Sequence, residues 1–410
     1  MNIDDNIYKH AQAHLDGGTY SLDRIAAFLM LIGNPQDSYR VVHVAGTSGK
    51  TSTSYYSAAL LYAAGKKVGL TTSPHFASVK ERTQINMRLL DDELYARELN
   101  EFLKLVSLHD AKLSYFELLT AFSYWEFQRQ AVDVAVIEVG LGGLLDATNV
   151  ISRHDKVCII TDIGFDHVEI LGKTLAEIAG QKAGIIHENN QVYINQQTPE
   201  VMDVIQDVCI QKNASFSVCD TDLQDIEEFA LPLFQKRNLR LAAFACGSLV
   251  GQITTEMLEP AAATTIPGRM QVYEEHGQTV ILDGSHNAQK LEALVHSVQD
   301  AYPDEQITLV VSFAKKKEQY LDDNLAVLRT LSDTIIITEF AGEQDYINES
   351  IDPNLMVTAA RQAQFRNVSF IRDPQDAVHA AIKTAPIVVV TGSFYLLNHV
   401  HVLSLDMKGY

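Results

Sequence analysis

The chain runs to 410 residues, 47% of them apolar, which is more than one ordinary core needs and points to two domains, each able to bury a sizeable core. Its formal net charge of −20 argues against a nucleic-acid or anionic-membrane surface, because both need clustered Lys and Arg. An anionic small substrate stays open, since a few local cations or a metal reverse the field inside one cleft.

The four cysteines, Cys158, Cys209, Cys219 and Cys246, show neither C-x-x-C spacing nor a zinc pattern and read as free thiols of a reducing cytosol. The opening MNIDDNIYKHAQ is acidic and polar, unlike the start of a signal peptide. The longest apolar runs, around Tyr56–Ala64 and Ile387–Val390, fall far short of a membrane span. A cytoplasmic protein that binds neither nucleic acid nor membrane is expected.

β-Branched runs alternate with helix-like stretches along the chain. Val41–Ala45 reads as a buried strand, followed by a Gly-rich turn and a helix from about Lys50 to Ala64. Lys67–Thr72 is a second strand, Tyr115–Arg129 has helical periodicity, and the continuous apolar run Val132–Val139 suits a strand buried on both faces. Lys156–Thr161 reads as a strand and Thr174–Ile185 as a helix. The alternation implies βαβ units and a mainly parallel sheet. The rhythm restarts near Thr279, with strands expected at Thr279–Asp283, Ile307–Phe313, Thr334–Glu339, Val368–Ile371 and Ile387–Thr391. The expected fold is therefore α/β: an N-terminal P-loop ATPase-type domain with a parallel sheet (1–266) and a C-terminal Rossmann-like α/β domain (267–410). The joint falls where Pro267-Gly268 breaks local structure. Active sites of such proteins occupy clefts at the carboxyl ends of the strands.

Five segments carry ligand-type residues at those strand ends. Gly46-Thr47-Ser48-Gly49-Lys50-Thr51-Ser52 follows a strand and opens a helix. Its glycines let backbone N–H groups approach phosphate oxygens, the helix N-terminus favours negative charge, Lys50 reaches the β/γ-phosphates, and a hydroxyl can hold Mg²⁺. Val44 stands where a full phosphate loop has glycine, and an ordinary glycine turn with a surface lysine is the alternative. Ser73, in Thr72-Ser73-Pro74-His75, could ligate a metal or merely belong to a turn fixed by Pro74. Glu138, ending an apolar strand before Gly140, Gly142 and Gly143, suits Mg²⁺, or is a solvated strand end. His167, in Asp166-His167, is a metal ligand or a packing residue, and Lys182 by itself reads as a solvated helix-end lysine. In the second half, Asp283-Gly284-Ser285-His286-Asn287 faces a ligand, or caps a helix through Ser285 or Asn287, or does both.

Taken together these segments resemble the folylpolyglutamate synthases and dihydrofolate synthases of the Mur ligase superfamily, in order and spacing, from about Tyr20 to Leu397. The most specific match is EVGLGGLLDATNV, beside the family's E-V-G-L-G-G-x-x-D-A-T-N-V. TTSPHFASVKERTQIN, SYFELLTAFSYW, IGFDHVEILGKTLAEIAGQKAGII, PGRMQV, LDGSHNAQ and TGSFYLL resemble further family blocks. Departures are Thr51, where the family's loop G-T-N-G-K-G-S has glycine, Gln181 in place of Glu, and the loosely matching Phe313–Lys317.

The resemblance implies an ATP-dependent ligase that adds L-glutamate to folate or dihydropteroate through an acyl phosphate, with ATP and Mg²⁺ as cofactors. It implies Gly46, Thr47, Gly49, Lys50, Thr51 and Ser52 as the phosphate loop, and Ser73, Glu138 and His167 as magnesium ligands. Lys182 matches a lysine that carries a carbamate in this superfamily. Asn238, Arg269, Asp283 and His286 match nucleotide contacts, and Glu81 and Arg82 lie in the block on the pterin side. Lys50, Lys182 and His167 are the residues expected to act in catalysis, and a monomer is expected. A UDP-muramoyl amino-acid ligase shares the chemistry but carries a nucleotide-sugar domain ahead of its loop, for which a loop beginning at Gly46 leaves no room. A P-loop regulator without ligation is the reading from another class, and it would need no second domain bearing Asp283 and His286.

Overall fold

The computed structural model describes residues 7–8, 10–11, 21–219, 224–275, 277–344 and 346–400. Most of the N-terminal segment weighed as a leader lies outside them. The chain divides into two compact units, Met1–Thr264 and Thr265–Tyr410.

The first unit is built on an eight-stranded sheet in the order β4-β3-β2-β5-β1-β6-β7-β8. Its strands are β1 (Arg40–Ala45), β2 (Val68–Thr71), β3 (Gln84–Ile85), β4 (Arg88–Leu89), β5 (Val134–Glu138), β6 (Val157–Ile160), β7 (Gln191–Asn195) and β8 (Ser215–Cys219). All pair in parallel except β3 and β4, which form an antiparallel margin. The central strands are apolar on both faces because both faces are covered. Over one face lie helices α1 (Asp23–Leu31), α3 (Asp92–Leu108) and α4 (Tyr115–Arg129), whose Phe28, Phe102, Phe122 and Trp125 pack with Val41, Ala135 and Ile137. The same face continues under α5 (Leu175–Ala183) and α6 (Pro199–Gln211), which cover Ala45, Ile160, Val192 and Ile194. On the other side α2 (Lys50–Ala63) packs with α7 (Leu233–Val250) and α8 (Thr255–Ala262).

Because side chains alternate along a strand, Ala135 and Ile137 face the first helical layer and Glu138 faces the other way, at the carboxyl edge. The parallel register of β2, β5, β1 and β6 brings their carboxyl ends to one rim. Two helix starts are fixed by reciprocal capping: Ser114 with Glu117 for α4, and Thr174 with Glu177 for α5.

The second unit has a six-stranded sheet in the order β15-β12-β11-β16-β10-β9. Here β9 (Gln271–Glu275) is antiparallel, and β10 (Gln278–Leu282), β11 (Ile307–Val311), β12 (Thr334–Ile337), β15 (Asn367–Phe370) and β16 (Ile387–Thr391) are parallel. Helices α9 (Ala288–Ala301), α10 (Leu321–Arg329) and α11 (Pro353–Gln362) share a core with Ile281, Leu309, Ile335 and Val389, and α12 (Pro374–Ile382) packs against β11 and β16. A two-stranded hairpin, β13 (Ala341–Gln344) and β14 (Tyr346–Glu349), completes it.

One buried charge in the first unit is costly. Lys156, at the start of β6, is fully buried, and its Nζ donates to the carbonyl of Ile151 at 2.8 Å. Burial lowers its pKa from 10.5 to about 8. Between those values the unfolded chain binds the proton and the folded one does not, so this residue makes stability rise with pH from about 8 to 10.5 and carries its full penalty below 8. Lys156→Met should therefore raise the melting temperature at pH 7, and the gain should shrink as the pH climbs towards 10. A gain that stays constant from pH 7 to 10 would show that the charge is not its source.

Candidate functional site

The Gly46–Ser52 segment leaves β1 and becomes α2 at Lys50, with Gly49 as N-cap at φ 89°. The amides of Thr47 and Ser48 both donate to the carbonyl of Asp162, at 2.9 and 3.1 Å, and Thr47 Oγ1 bonds the backbone of Gly164. Asp162 is itself gripped by Arg237, whose Nε and Nη2 reach Oδ2 and Oδ1 at 3.0 and 2.9 Å. The loop is thus anchored on the end of β6. The amides of Lys50, Thr51 and Ser52 belong to the first helical turn, which has no intrahelical acceptor and favours an anion. Gly46 and Gly49 are required by space as well as by conformation: a Cβ on Gly46 would lie 1.8 Å from Thr161 Oγ1, and one on Gly49 would lie 2.4 Å from Asn238 Oδ1. Asn238, from α7, is buried and lies directly against the loop.

Two ammonium groups meet at one carbonyl. Lys50 Nζ donates to Gly46 O at 3.0 Å and Lys182 Nζ to the same oxygen at 2.9 Å. Lys182 is 3% exposed, so the solvated helix-end lysine read from its own segment is corrected: α5 points it into the loop. Its helix end is held by the glycine turn after β5, through Leu144 N to Gln181 O at 2.8 Å.

Glu138 is 3% exposed. Thr51 Oγ1 donates to its Oε1 at 2.8 Å, and the amide of Ser73 donates to its Oε2 at 3.2 Å. Three strand ends, β1, β2 and β5, therefore converge on one carboxylate. Ser73 Oγ is buried with no hydrogen-bond partner, an orphaned oxygen next to a carboxylate. That donor chemistry, carboxylate plus hydroxyls, fits a hard divalent cation such as Mg²⁺. Among the described residues no three His, Cys, Asp or Glu side chains stand together as a metal centre, so a cation here draws on hydroxyl oxygens as well as on Glu138. His167 sits at φ 50° ahead of the one-turn helix Val168–Leu171, with its ring nitrogens 3.9 Å from Asp166 Oδ1 and 3.8 Å from Glu169 Oε1.

Glu81 and Arg82, expected on the pterin side, are each held by local bonds. Glu81 accepts from the amides of Phe76, Ala77 and Ser78 at 2.6, 2.7 and 2.9 Å, shaping the turn after β2. Burial raises its pKa, and those three amides oppose the rise. Arg82 is buried, donates from Nε to His75 Nδ1 at 3.0 Å, and lies 5.6 Å above the Tyr115 ring.

In the second unit Asp283 ends the β10 segment and accepts from Met270 N, Ser285 N and Ser285 Oγ at 2.8, 2.8 and 2.5 Å. His286 Nδ1 lies 2.9 Å from Gly284 O, and Arg269 stacks 5.0 Å over the Phe394 ring. Of the two proposed caps, Asn287 is the one that caps α9, by accepting from Lys290 N at 3.0 Å.

Sequence reasoning missed Asp146, Asp162 and Arg237. Asp146 is buried, with a pKa raised by desolvation, and it holds the glycine turn by accepting from Leu141 N and Thr148 N at 2.8 and 3.0 Å. Its signal was the D-A-T-N run itself, an Asx-turn pattern. Arg237 and Asp162 lie 75 residues apart, and no local signal pairs them.

Residues 44–244 match the Mur ligase middle domain, and residues 268–394 match the glutamate ligase domain of the Mur ligases. The dihydrofolate synthase/folylpolyglutamate synthase of Mycobacterium tuberculosis is 33% identical over 364 residues, 78% of this chain and 74% of the relative. The crystal structure of Mycobacterium tuberculosis folylpolyglutamate synthase complexed with ADP aligns with a TM-score of 0.84 at 29% identity, covering 97% of this chain and 96% of the other. A bifunctional folylpolyglutamate synthase/dihydrofolate synthase with Mn, AMPPNP and L-glutamate bound gives a TM-score of 0.79 at 25% identity, covering 93% of each chain. The two units thus carry the two domains of an ATP-dependent Mur-type ligase. Within that class, the chain belongs to the folylpolyglutamate synthase and dihydrofolate synthase family.

The loop geometry generates a specific expectation. Gly49→Ala adds a left-handed alanine, worth about 1–2 kcal/mol, and a clash with Asn238. It should lower the melting temperature and abolish the thermal shift given by ADP. Gly49→Ala/Asn238→Ala should recover part of the melting temperature. No recovery would show that Asn238 does not set the space over the loop.

Proposed function

We propose that the chain joins L-glutamate to the carboxylate of a folate or of dihydropteroate, in an ATP-driven reaction through an acyl phosphate. The observation that carries this reading is family membership across both units, matched by a rim where a phosphate loop, two lysines and a buried carboxylate meet. A substrate carboxylate oxygen attacks the γ-phosphorus in line, ADP leaves, and the amine of glutamate then attacks the acyl carbon and expels phosphate. The amine must arrive neutral, and its proton passes to solvent or a base. Positioning and charge neutralisation dominate such a transfer.

In this reading the first-turn amides of α2 hold the phosphates and Lys50 offsets the charge that gathers between two anions. Ser73 and Glu138 would hold the divalent cation, with His167 as an imidazole ligand. The cation, when bound, neutralises phosphate oxygens and eases the approach of the carboxylate. Glu81 and Arg82 shape the pterin side through the turn they stabilise. Arg269, Asp283 and His286 of the second unit are assigned to the nucleotide on the resemblance alone. A monomer with no need of nucleic acid or membrane suffices; no described helix is long and apolar enough to cross a membrane.

Lys182 is proposed to carry a carbamate, formed when its neutral amine attacks CO₂ and loses a proton. The support is local: two ammonium groups on the single carbonyl of Gly46 repel each other, and a carbamate reverses one of the two charges.

Phosphate release measured with dihydropteroate, tetrahydrofolate or a UDP-muramoyl acceptor, each with glutamate, tests the reading. Release is expected with one or both pteroates and must require glutamate. Release with the muramoyl acceptor alone favours the peptidoglycan alternative, and release indifferent to both substrates favours a P-loop regulator. Lys50→Ala should lose turnover by about a hundredfold or more while remaining folded. For Lys182, protein equilibrated with ¹³C-bicarbonate should give a carbamate carbon signal that Lys182→Ala lacks. A wild type without that signal rejects the modification.

A further inference from the structure

Two histidines, His43 on β1 and His187 just past α5, each reach one of two adjacent residues in the turn Ala147–Val150. His43 Nε2 lies 2.9 Å from Thr148 Oγ1, and His187 Nε2 lies 3.0 Å from Asn149 Oδ1. Both turn residues pass hydrogen bonds onward. Thr148 Oγ1 donates to Asp146 Oδ1 at 2.5 Å, and Asp146 Oδ2 accepts from Leu141 N at 2.8 Å. Asn149 Nδ2 donates to Leu144 O and to Gly184 O, both at 3.0 Å. Leu141 and Leu144 belong to the glycine turn that follows Glu138, and Gly184 caps the end of α5, the helix of Lys182. Turn and helix end lie in close contact there: a Cβ on Gly184 would stand 2.5 Å from Leu144 Cα, and one on Gly143 would stand 2.8 Å from Gln181 O.

The donor count fixes both tautomers. The Asn149 amide spends both of its N–H bonds on carbonyls, which only accept, so its Oδ1 faces His187 and takes a proton from it. The Thr148 hydroxyl spends its one proton on the Asp146 carboxylate, so it too receives from His43. Both rings therefore carry their proton on Nε2. Nδ1 of His43 is buried with no partner, so a second proton there would be an unpaired donor in the core. Burial, then Lys156 and His187, hold the His43 pKa well below the usual histidine range. Burial, then Lys156 and Lys212, lower that of His187 to about 4. We propose that His43 and His187 are positioning residues of the ligase: as neutral Nε2–H donors they fix Thr148 and Asn149, which clamp the glycine turn after Glu138 to the helix end that carries Lys182. The proposal rests on the reading of Glu138 and Lys182 as parts of the reaction site. α5 holds Lys182 Nζ 2.9 Å from Gly46 O, and a slip of its last turn would carry that nitrogen with it. Packing alone does not account for the buried ring of His43, since an apolar ring would fill the same space without stranding Nδ1.

The full chain gives the first test without any substitution. ¹⁵N spectra of histidine-labelled protein at neutral pH should show both rings neutral with the proton on Nε2; an imidazolium or an Nδ1–H tautomer at either ring overturns the proposal. His187→Leu and His43→Phe remove the donors, whereas His187→Gln and His43→Gln return an N–H close to the place of Nε2. Amide exchange should quicken by about tenfold, the loss of roughly one hydrogen bond, at Leu144 in His187→Leu and at Leu141 in His43→Phe. Strands β1 and β5 should keep their protection. In both variants kcat with a pteroate and glutamate should fall by about tenfold to a hundredfold, while the thermal shift given by ADP is retained. The Gln variants should recover both protection and turnover. A loss of protection spread evenly over β1 and β5 would mark general destabilisation and count against the clamp, as would Gln variants as impaired as the apolar ones. His187 is only half-buried, so His187→Leu decides the matter where His43→Phe fails to fold. Unchanged kcat beside quickened exchange would make the clamp structural and sink the positioning role. If no pteroate is a substrate while tautomers and exchange come out as expected, the functional reading fails and the clamp stands.

Discussion

Glu138 lies at the end of a strand whose other residues are all buried and apolar, and a desolvated carboxylate costs several kcal/mol unless donors replace the water it has lost. Those donors come from a distance. Thr51 belongs to the loop after β1 and Ser73 to the segment after β2. Satisfying one buried charge therefore ties three strand ends into a fixed arrangement. The fourth, β6, joins by a different bond: the Asp162 carbonyl takes the Thr47 and Ser48 amides, and Arg237 on α7 holds the Asp162 side chain. The strand ends of the rim are cross-linked through polar atoms, with the Glu138 carboxylate buried and the Asp162–Arg237 pair partly exposed.

The same rim reverses the electrostatics of the chain. A net charge of −20 repels a polyphosphate at long range, but Lys50 ends on Gly46 O, beside the amides of a helix N-terminus. The local field, not the total charge, decides binding within a Debye length of about 8–10 Å. Gly46 makes this geometrically possible, since any side chain there would collide with Thr161 and push the carbonyl away from Lys50.

Much of this was legible beforehand, for identifiable reasons. Continuous apolar runs gave β1, β5 and β6 to within a residue or two, because doubly covered strands need no polar alternation. β7 and the edge strand β8, which mix Gln, Tyr and Ser among their apolar residues, gave no such signal. The β3–β4 margin is two residues per strand and too short for a pattern. The phosphate loop was readable because its chemistry is local in sequence. The burial of Lys182 was not, since it depends on α5 packing its last turn against a loop 136 residues earlier.

Buried acids in the segments past the strands show most clearly why sequence could not rank the candidate residues. Glu81, Asp146 and Asp283 all looked, or could have looked, like ligands. Each accepts from backbone amides: Glu81 from residues 76 to 78, Asp146 from 141 and 148, Asp283 from 270 and 285. Such an acid is held in its turn by several charge-assisted bonds, so whatever it meets, it meets in place. Glu138 accepts across strands, from Thr51 after β1 and from Ser73 after β2. A carboxylate held between elements can take up a cation while keeping its partners, because the partners are themselves positioned by the sheet. Local amides fix an acid in its own turn, whereas distant donors tie it to other strands, and only the folded chain distinguishes the two.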